Sequence, residues 1–228
     1  MSKKLKKLRV SIGVTSYNEE QNIEKLLHSL LTQKLKSAII TEILVISSGS
    51  TDSTDKIVKK IRRRNSKIKL IQQKKRIGKA SAVNLFISSA KEDVVILSSA
   101  DILIPNDTID KITRPLRERD IGIVGSHPVP VNDPNSFFGF AAHLMWGLHH
   151  QISLTSPKMG EFIAFRKIFK QIPLTSSVDE ASIEALIRGQ GYIAVYAPKA
   201  IIYNKGAENF KEFIERRRHI YAGHLETK

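Results

Sequence analysis

The sequence predicts an α/β fold built on a mixed, mostly parallel sheet flanked by helices. Three observations lead there. Short β-branched runs alternate with amphipathic helical patterns over the first half of the chain. The residues following each run are small and polar, as at the carboxyl tips of parallel strands where ligands bind. At 228 residues and 41% hydrophobic content, the chain can bury one large core. No internal repeat or low-complexity linker interrupts it, so one domain over 1–228 is expected, with subregions 1–125 and 126–228.

Residues 8–14 read as a strand, followed by a helix over about 19–33 that carries Ile23, Leu26, Leu27, Leu30 and Leu31 on one face. A second strand, 43–46, leads to a helix opened by the capping residues Ser50, Thr51 and Asp52. A strand at 67–71, a helix at 79–90 and a strand at 94–98 continue the winding. A helix then runs to about 119, and a strand follows at 121–124. The Pro- and Asn-rich run SHPVPVNDPN, 126–135, reads as a loop. Beyond it come an aromatic helix over 135–154, a strand at 162–166, a helix at 179–190, a strand at 192–196 and a basic helix over about 209–219.

Composition narrows the chemistry. Cysteine is absent, so disulfides, thiolate metal sites and cysteine nucleophiles are excluded, and any metal must take oxygen or imidazole ligands. Thirty-seven Lys and Arg against 22 Asp and Glu leave a net charge of +15, which favours anionic partners. The basic residues cluster at 3–9, 56–69, 74–79 and 205–218. Charge alone suggests nucleic acid, but the chain carries no recognisable nucleic-acid motif, and none is expected as a partner. The lysine-rich start lacks an apolar signal core, and the most apolar long segment, 137–148, is too short and polar to span a bilayer. The expectation is a cytoplasmic protein, free or at the inner face of the membrane.

Four motifs stand in order at the strand ends: VTSYNEEQNI from Val14, SSGSTDSTD from Ser47, RIGKASAVN from Arg76 and SSAD from Ser98. Together they resemble the family 2 glycosyltransferases, whose first subdomain reads PTYNEExNI, DDGSTDxT, NxGKxxAxN and DAD. The resemblance continues downstream through MGEFIAFRKIFKQIP, VDEASIEALIRGQGYIAVYAPKAIIY and, most loosely, RRRHIYAGH. It implies a GT-A fold, the Rossmann-like nucleotide-diphospho-sugar transferase architecture. The subregion 1–125 would then bind the nucleotide sugar and 126–228 the acceptor. The implied activity is transfer of a sugar from a nucleotide-diphosphate donor to a saccharide hydroxyl or a polyprenyl phosphate, metal-assisted and inverting. Peripheral membrane association would accompany a lipid-linked acceptor.

The resemblance also assigns residues. Thr15, Ser16, Tyr17 and Glu19 would line the nucleoside pocket. The alternative for Glu19 is a helix start, where a carboxylate favours the dipole. Ser47 and Ser48 stand in place of the family's Asp-Asp, and a hydroxyl accepts a hydrogen bond from a base more weakly than a carboxylate. Ser99 replaces the first Asp of Asp-Ala-Asp, leaving Asp101 to hold Mg²⁺ or Mn²⁺ with donor phosphates and water. Lys79 is placed to meet phosphate or sugar, and Asn84 to pack against the nucleotide-side loops. Glu180 is the first choice for general base and Asp179 the second, Asp179 also fitting a helix cap. Among Arg216, Arg217 and Arg218, Arg217 would face the diphosphate or a phosphorylated acceptor. The aromatic helix reads as a core-packing element, with an acceptor or membrane face as the alternative; its histidines receive no role. The missing carboxylates at Ser47 and Ser99 keep open a second reading, a catalytically impaired nucleotide-sugar-binding protein on the same fold.

Overall fold

The structure, a computed structural model, describes residues 6–176 and 178–226, without the side chains of 219–226. Among these residues the strands are β1 Leu8–Ser16, β2 Ala38–Ser48, β3 Ile68–Gln73, β4 Val94–Ser99, β5 Ile121–Pro130, β6 Phe162–Arg166 and β7 Ile193–Asn204. The helices are α1 Ile23–Leu31, α2 Thr54–Arg62, α3 Lys79–Ser89, α4 Thr108–Thr113, α5 Phe137–Thr155, α6 Asp179–Arg188 and α7 Phe210–Glu226. A 3₁₀ turn, Arg114–Arg117, extends α4 as a tighter coil around Pro115, which shortens the helix expected there.

The strands form one sheet in the order β3-β2-β1-β4-β6-β5-β7. β1 pairs in parallel with β2 and β4, and β2 with β3. β6 runs antiparallel between β4 and β5, and β7 pairs in parallel with β5. Alternate residues of the central strands feed two apolar layers, and burial on both faces explains their near-continuous hydrophobic runs. Val10, Ile12, Val14, Ile43 and Ile96 pack with Leu26, Leu27 and Leu30 of α1 and Ile109 and Ile112 of α4. Leu44, Ile46, Val95, Leu97, Ile163 and Phe165 pack with Val83 and Phe86 of α3 and Ile183 and Ile187 of α6. The helices α3 and α6 therefore share one face of the sheet, and their N-termini share one end of it.

Three expectations need correction. The run 126–135 is not all loop, because β5 continues to Pro130 beside β7, with His127 opposite Ile201 and Pro130 opposite Asn204. The β6 ladder covers only Ile123 to Gly125, so one edge of β5 is open beyond that point. Val131 N donates to Asn204 O, so odd positions face β7 and the missing N–H groups of Pro128 and Pro130 fall on the open edge. β7 likewise runs past Pro198 to Asn204, across a register shift that lets 197–200 bulge. The aromatic helix does not mainly pack the core. Its buried residues are Gly139, Ala142 and Ser153, while Phe137, Phe140, Leu144, Leu148 and Ile152 are at least half exposed.

One buried charge is handled locally. Glu42, 2% exposed, accepts hydrogen bonds from Ser11 Oγ and Lys91 N at 2.8 Å each and pairs with Lys69 Nζ at 2.6 Å. Burial alone would raise its pKa, but these partners outweigh it and hold the carboxyl below its ordinary value. A depressed pKa contributes stability that is present above the unfolded value and lost as pH falls through the folded one. Glu42→Gln is therefore expected to cost about 1.5–3 kcal/mol in urea melts at pH 7. The difference from wild type should shrink in melts run at acid pH.

Candidate active site

The carboxyl tips of β1, β2 and β4 lie side by side. Thr15 is opposite both Ile46 and Ser99, and Ser16 is opposite Ser47, so the first, second and fourth motifs meet at one edge. Thr15, Ser16, Ser47 and Ser48 are all buried. Their hydroxyls are partly committed within the fold: Ser47 Oγ donates to Ser50 Oγ at 3.0 Å and Ser48 Oγ to Gln73 Oε1 at 2.9 Å. Tyr17 is exposed, and the Arg76 guanidinium lies 4.1 Å from its ring centroid.

The loops leaving β1 and β2 are zipped together. Asn18 N donates to Ser50 Oγ, and Thr51 N donates to Asn18 Oδ1 at 2.8 Å. Glu19 N donates to Thr54 Oγ1 at 2.7 Å, while Glu20 N donates to Asp52 Oδ2 and Ser53 N to Glu20 Oε2. Asn18 adopts φ 54° to make these contacts, a left-handed conformation that Asn tolerates. Gly49, at φ 72°, turns the second loop where an added Cβ would come within 2.8 Å of Arg76 N. These hydrogen bonds tie the two loops into one rim.

Charge is concentrated beside that rim. Lys79, the first residue of α3, places Nζ 3.1 Å from Asp179 Oδ2 and 3.1 Å from Glu180 Oε1, at the head of α6. Burial opposes the ammonium, but Glu180 and Asp179 outweigh it and raise its pKa. Asp179 is 1% exposed and Glu180 is the more open of the two carboxylates. Asp101, exposed on the loop after β4, lies close enough to act on Glu19 and on Glu161. Glu19 is raised first by burial and then by Asp101 and Asp52, against a hydrogen bond from Asn22. Glu161 is pushed up to about 7, chiefly by burial and then by Asp101, although it accepts a hydrogen bond from Asn204 Nδ2 at 2.8 Å.

The predicted residues therefore fall into one cluster with one outlier. Thr15, Ser16, Tyr17, Glu19, Ser47, Ser48, Lys79, Ser99, Asp101, Asp179 and Glu180 converge on the strand tips. Arg217 lies on α7, its guanidinium 5.7 Å from the Phe213 ring of the same helix. Among the described residues, no hydrogen bond or ion pair ties it to the cluster. Asn84 does not pack on the nucleotide-side loops: its amide exchanges hydrogen bonds with Ile172 O and Ile172 N, fastening α3 to the segment after β6. Sequence reasoning passed over Glu161 and the Arg76 contact with Tyr17. Both were visible as charged residues inside quoted motifs, but their neighbours are set by strand pairing and loop packing.

The oxygen-rich cluster suits a hard divalent cation. Asp101 is accessible, and its repulsion of Glu19 and of Glu161 is the field a cation would relieve. Among the described residues no three metal-binding side chains form a closed set, so phosphate or water oxygens would have to complete the coordination. A shallow depression between α1 and α2, lined by Glu24, His28 and Arg64, includes none of these residues.

Comparison with known proteins places this geometry. The chain is 32% identical over 111 residues to an uncharacterized glycosyltransferase of Synechocystis sp., covering 49% of this chain and 35% of that protein. It is 36% identical over 98 residues to the poly-beta-1,6-N-acetyl-D-glucosamine synthase of Staphylococcus aureus, covering 43% of this chain and 23% of the synthase. The chain thus spans a minor part of each curated relative. Among solved structures it superposes on the mannosyltransferase PcManGT of Pyrobaculum calidifontis, in complex with GDP-Man and Mn²⁺, with TM-score 0.77 and 23% identity over 97% of this chain and 64% of that one. It also superposes on S. aureus TarS with UDP-GlcNAc, with TM-score 0.61 and 21% identity over 96% and 67% of the two chains. These likenesses establish the GT-A fold. The family model for glycosyl transferase family 2 matches residues 11–178, well over half of the chain, and this protein belongs to that family.

Proposed function

We propose that the protein transfers a sugar from a nucleotide-diphosphate donor to an acceptor hydroxyl or a lipid-linked phosphate with inversion at the anomeric carbon. The observation that carries this reading is the Lys79–Asp179–Glu180 group at the strand tips, within the electrostatic reach of Glu161 and hence of Asp101. It brings together a cation for the donor's phosphates and carboxylates for the acceptor. The subregion 1–125 takes the donor, with Tyr17 and Glu19 beside the nucleoside and Thr15, Ser16, Ser47, Ser48 and Ser99 forming the floor. The subregion 126–228 takes the acceptor.

Glu180, or Asp179 behind it, accepts the proton of the acceptor hydroxyl as that oxygen bonds to the anomeric carbon and the bond to the donor phosphate breaks. The nucleoside diphosphate leaves, and Lys79 meets its charge. Asp101 would hold Mg²⁺ or Mn²⁺, which would neutralise charge on the same diphosphate. Arg217, on α7, would meet the diphosphate or a phosphorylated acceptor.

A panel of nucleotide sugars, each tested with and without Mn²⁺, should raise the melting temperature for the true donor alone. At a hundredfold excess over Kd the stabilisation is about 2.7 kcal/mol, or roughly 5–10 °C for a chain of this size. Radiolabelled sugar transfer then follows with that donor. No shift with any nucleotide sugar would overturn the proposal. A second reading, binding without turnover, is favoured by the serines at 47 and 99. It expects the same shift with no transfer to saccharide or polyprenyl phosphate.

Membrane association of a peripheral kind is proposed from the exposed stripe Phe140, Leu144, Leu148 and Ile152, spaced four apart on α5. The basic α7 lies beside it through the contacts of Phe137 and Phe138 with Phe210. No helix among the described residues is long and apolar enough to cross a bilayer, so the stripe would lie on the surface. Leu144→Glu with Leu148→Glu should abolish flotation with anionic vesicles while leaving the melting temperature near wild type. Undiminished flotation of that variant would refute the assignment.

A further inference from the structure

We propose that Glu161 is a second oxygen ligand of the donor-site cation, supplying from the neighbouring strand the carboxylate that Ser99 lacks. The inference rests on the metal-assisted reading above and extends it to a residue outside the four strand-end motifs.

The register carries the argument. Ser98 is opposite Phe162 in the antiparallel β4–β6 ladder, and Ser99 N donates to Glu161 O at 3.3 Å, so Ser99 and Glu161 are the next facing pair. Facing residues of an antiparallel pair project to the same side, with Cβ atoms about 4.5–5.5 Å apart. That side is settled by their neighbours two residues away: Leu97 and Ile163 belong to the same apolar layer, under α3 and α6. Glu161 therefore emerges on the face headed by Lys79, Asp179 and Glu180, within one cross-strand spacing of the position where a DAD motif would carry its first carboxylate.

Its side chain is held in place. Asn204, at the end of β7 and 4% exposed, donates from Nδ2 to Glu161 Oε2 at 2.8 Å. Among the described residues Asn204 Oδ1 is itself buried with no hydrogen-bond partner. Asp101 is the largest charge acting on Glu161. The charge of Asp101, on an exposed loop, acts on Glu161, fixed by a buried amide, and a cation between them would relieve that repulsion. A hard divalent ion is bound by one or two carboxylates together with substrate phosphates, and Asp101 with Glu161 restores that number. The serine at 99 then marks a ligand moved to the adjacent strand, and the charge of the site is conserved.

Mn²⁺ binding, read by the EPR signal of free Mn²⁺ in the presence of UDP or GDP, tests this without recourse to activity. Wild type should bind, and Asp101→Asn should lose binding. Glu161→Gln should weaken it tenfold or more, with circular dichroism verifying the fold. The exchange variant Ser99→Asp with Glu161→Ser keeps the carboxylate count and should bind within a few-fold of wild type even if Glu161→Gln folds poorly. Wild-type affinity in Glu161→Gln overturns the role of Glu161 while leaving the metal-assisted reading intact. Failure of the exchange variant to bind while Asp101→Asn still binds places the ion elsewhere and also overturns it. Absence of Mn²⁺ binding in wild type with either nucleotide sinks both readings.

Discussion

Neutralising both carboxylates at the head of α6, as Asp179→Asn with Glu180→Gln, is expected to lower sugar transfer by about 10²–10⁴-fold while donor binding survives. The amides keep the size of the side chains and their capacity to accept a hydrogen bond from Lys79, which now sits 3.1 Å from each carboxylate. What they lose is the ability to take a proton from the acceptor. Freed from two counter-charges, Lys79 should hold the donor's phosphates at least as well as before, so the melting shift given by donor should persist or grow. The single variants separate the two candidates. Glu180 is the more open, so Glu180→Gln should reproduce most of the loss. Asp179, 1% exposed, should act mainly on the position of Lys79. Full transfer activity in the double variant would remove the base assignment.

The second large effect is structural. Gly13 lies in the middle of β1, between Leu44 of β2 and Leu97 of β4. A Cβ there would come within 2.4 Å of Cγ of Phe86, which is fully buried on α3. Neither the central strand nor a buried aromatic ring can yield cheaply, because the core is close-packed. Gly13→Val is expected to destabilise the protein by about 3 kcal/mol or more, the upper end of the cost of overpacking. Phe86→Leu in the same chain should recover part of that loss in urea melts, since the two changes share one contact. Purely additive losses in the double variant would show that Phe86 is not what Gly13 makes room for. Because α3 begins at Lys79, Gly13→Val should also weaken donor binding by displacing that ammonium.

Much of the donor half was legible in the residues. Where a strand is parallel and buried on both faces, its apolar run and the polar turn after it are local features, and β1, β3 and β4 fell close to their expected positions, while β2 runs from Ala38 to Ser48 around the expected 43–46. The helix starts at Lys79 and Asp179 did so too. The second half was harder because its strands depend on partners. Pro128, Pro130 and Pro198 argue for loops until one sees which edge their missing N–H groups face. The exposed face of α5 shows why apolar periodicity is a guide to amphipathicity and not to its partner: the same stripe fits a core or an external surface.

The sequence by itself determined the family and the parallel α/β half of the sheet, since the four ordered motifs and the alternation of strand and helix are properties of short segments. It also determined which polar motifs follow β1, β2 and β4. Only the tertiary structure decided that Lys79 bridges Asp179 and Glu180 across a hundred residues, that Asn84 fastens α3 to Ile172, and that Glu161 stands opposite Ser99. Those facts depend on the antiparallel insertion of β6 between β4 and β5. The pairing partner of a short apolar strand is chosen by the packing of the whole sheet, and no local residue pattern encodes it.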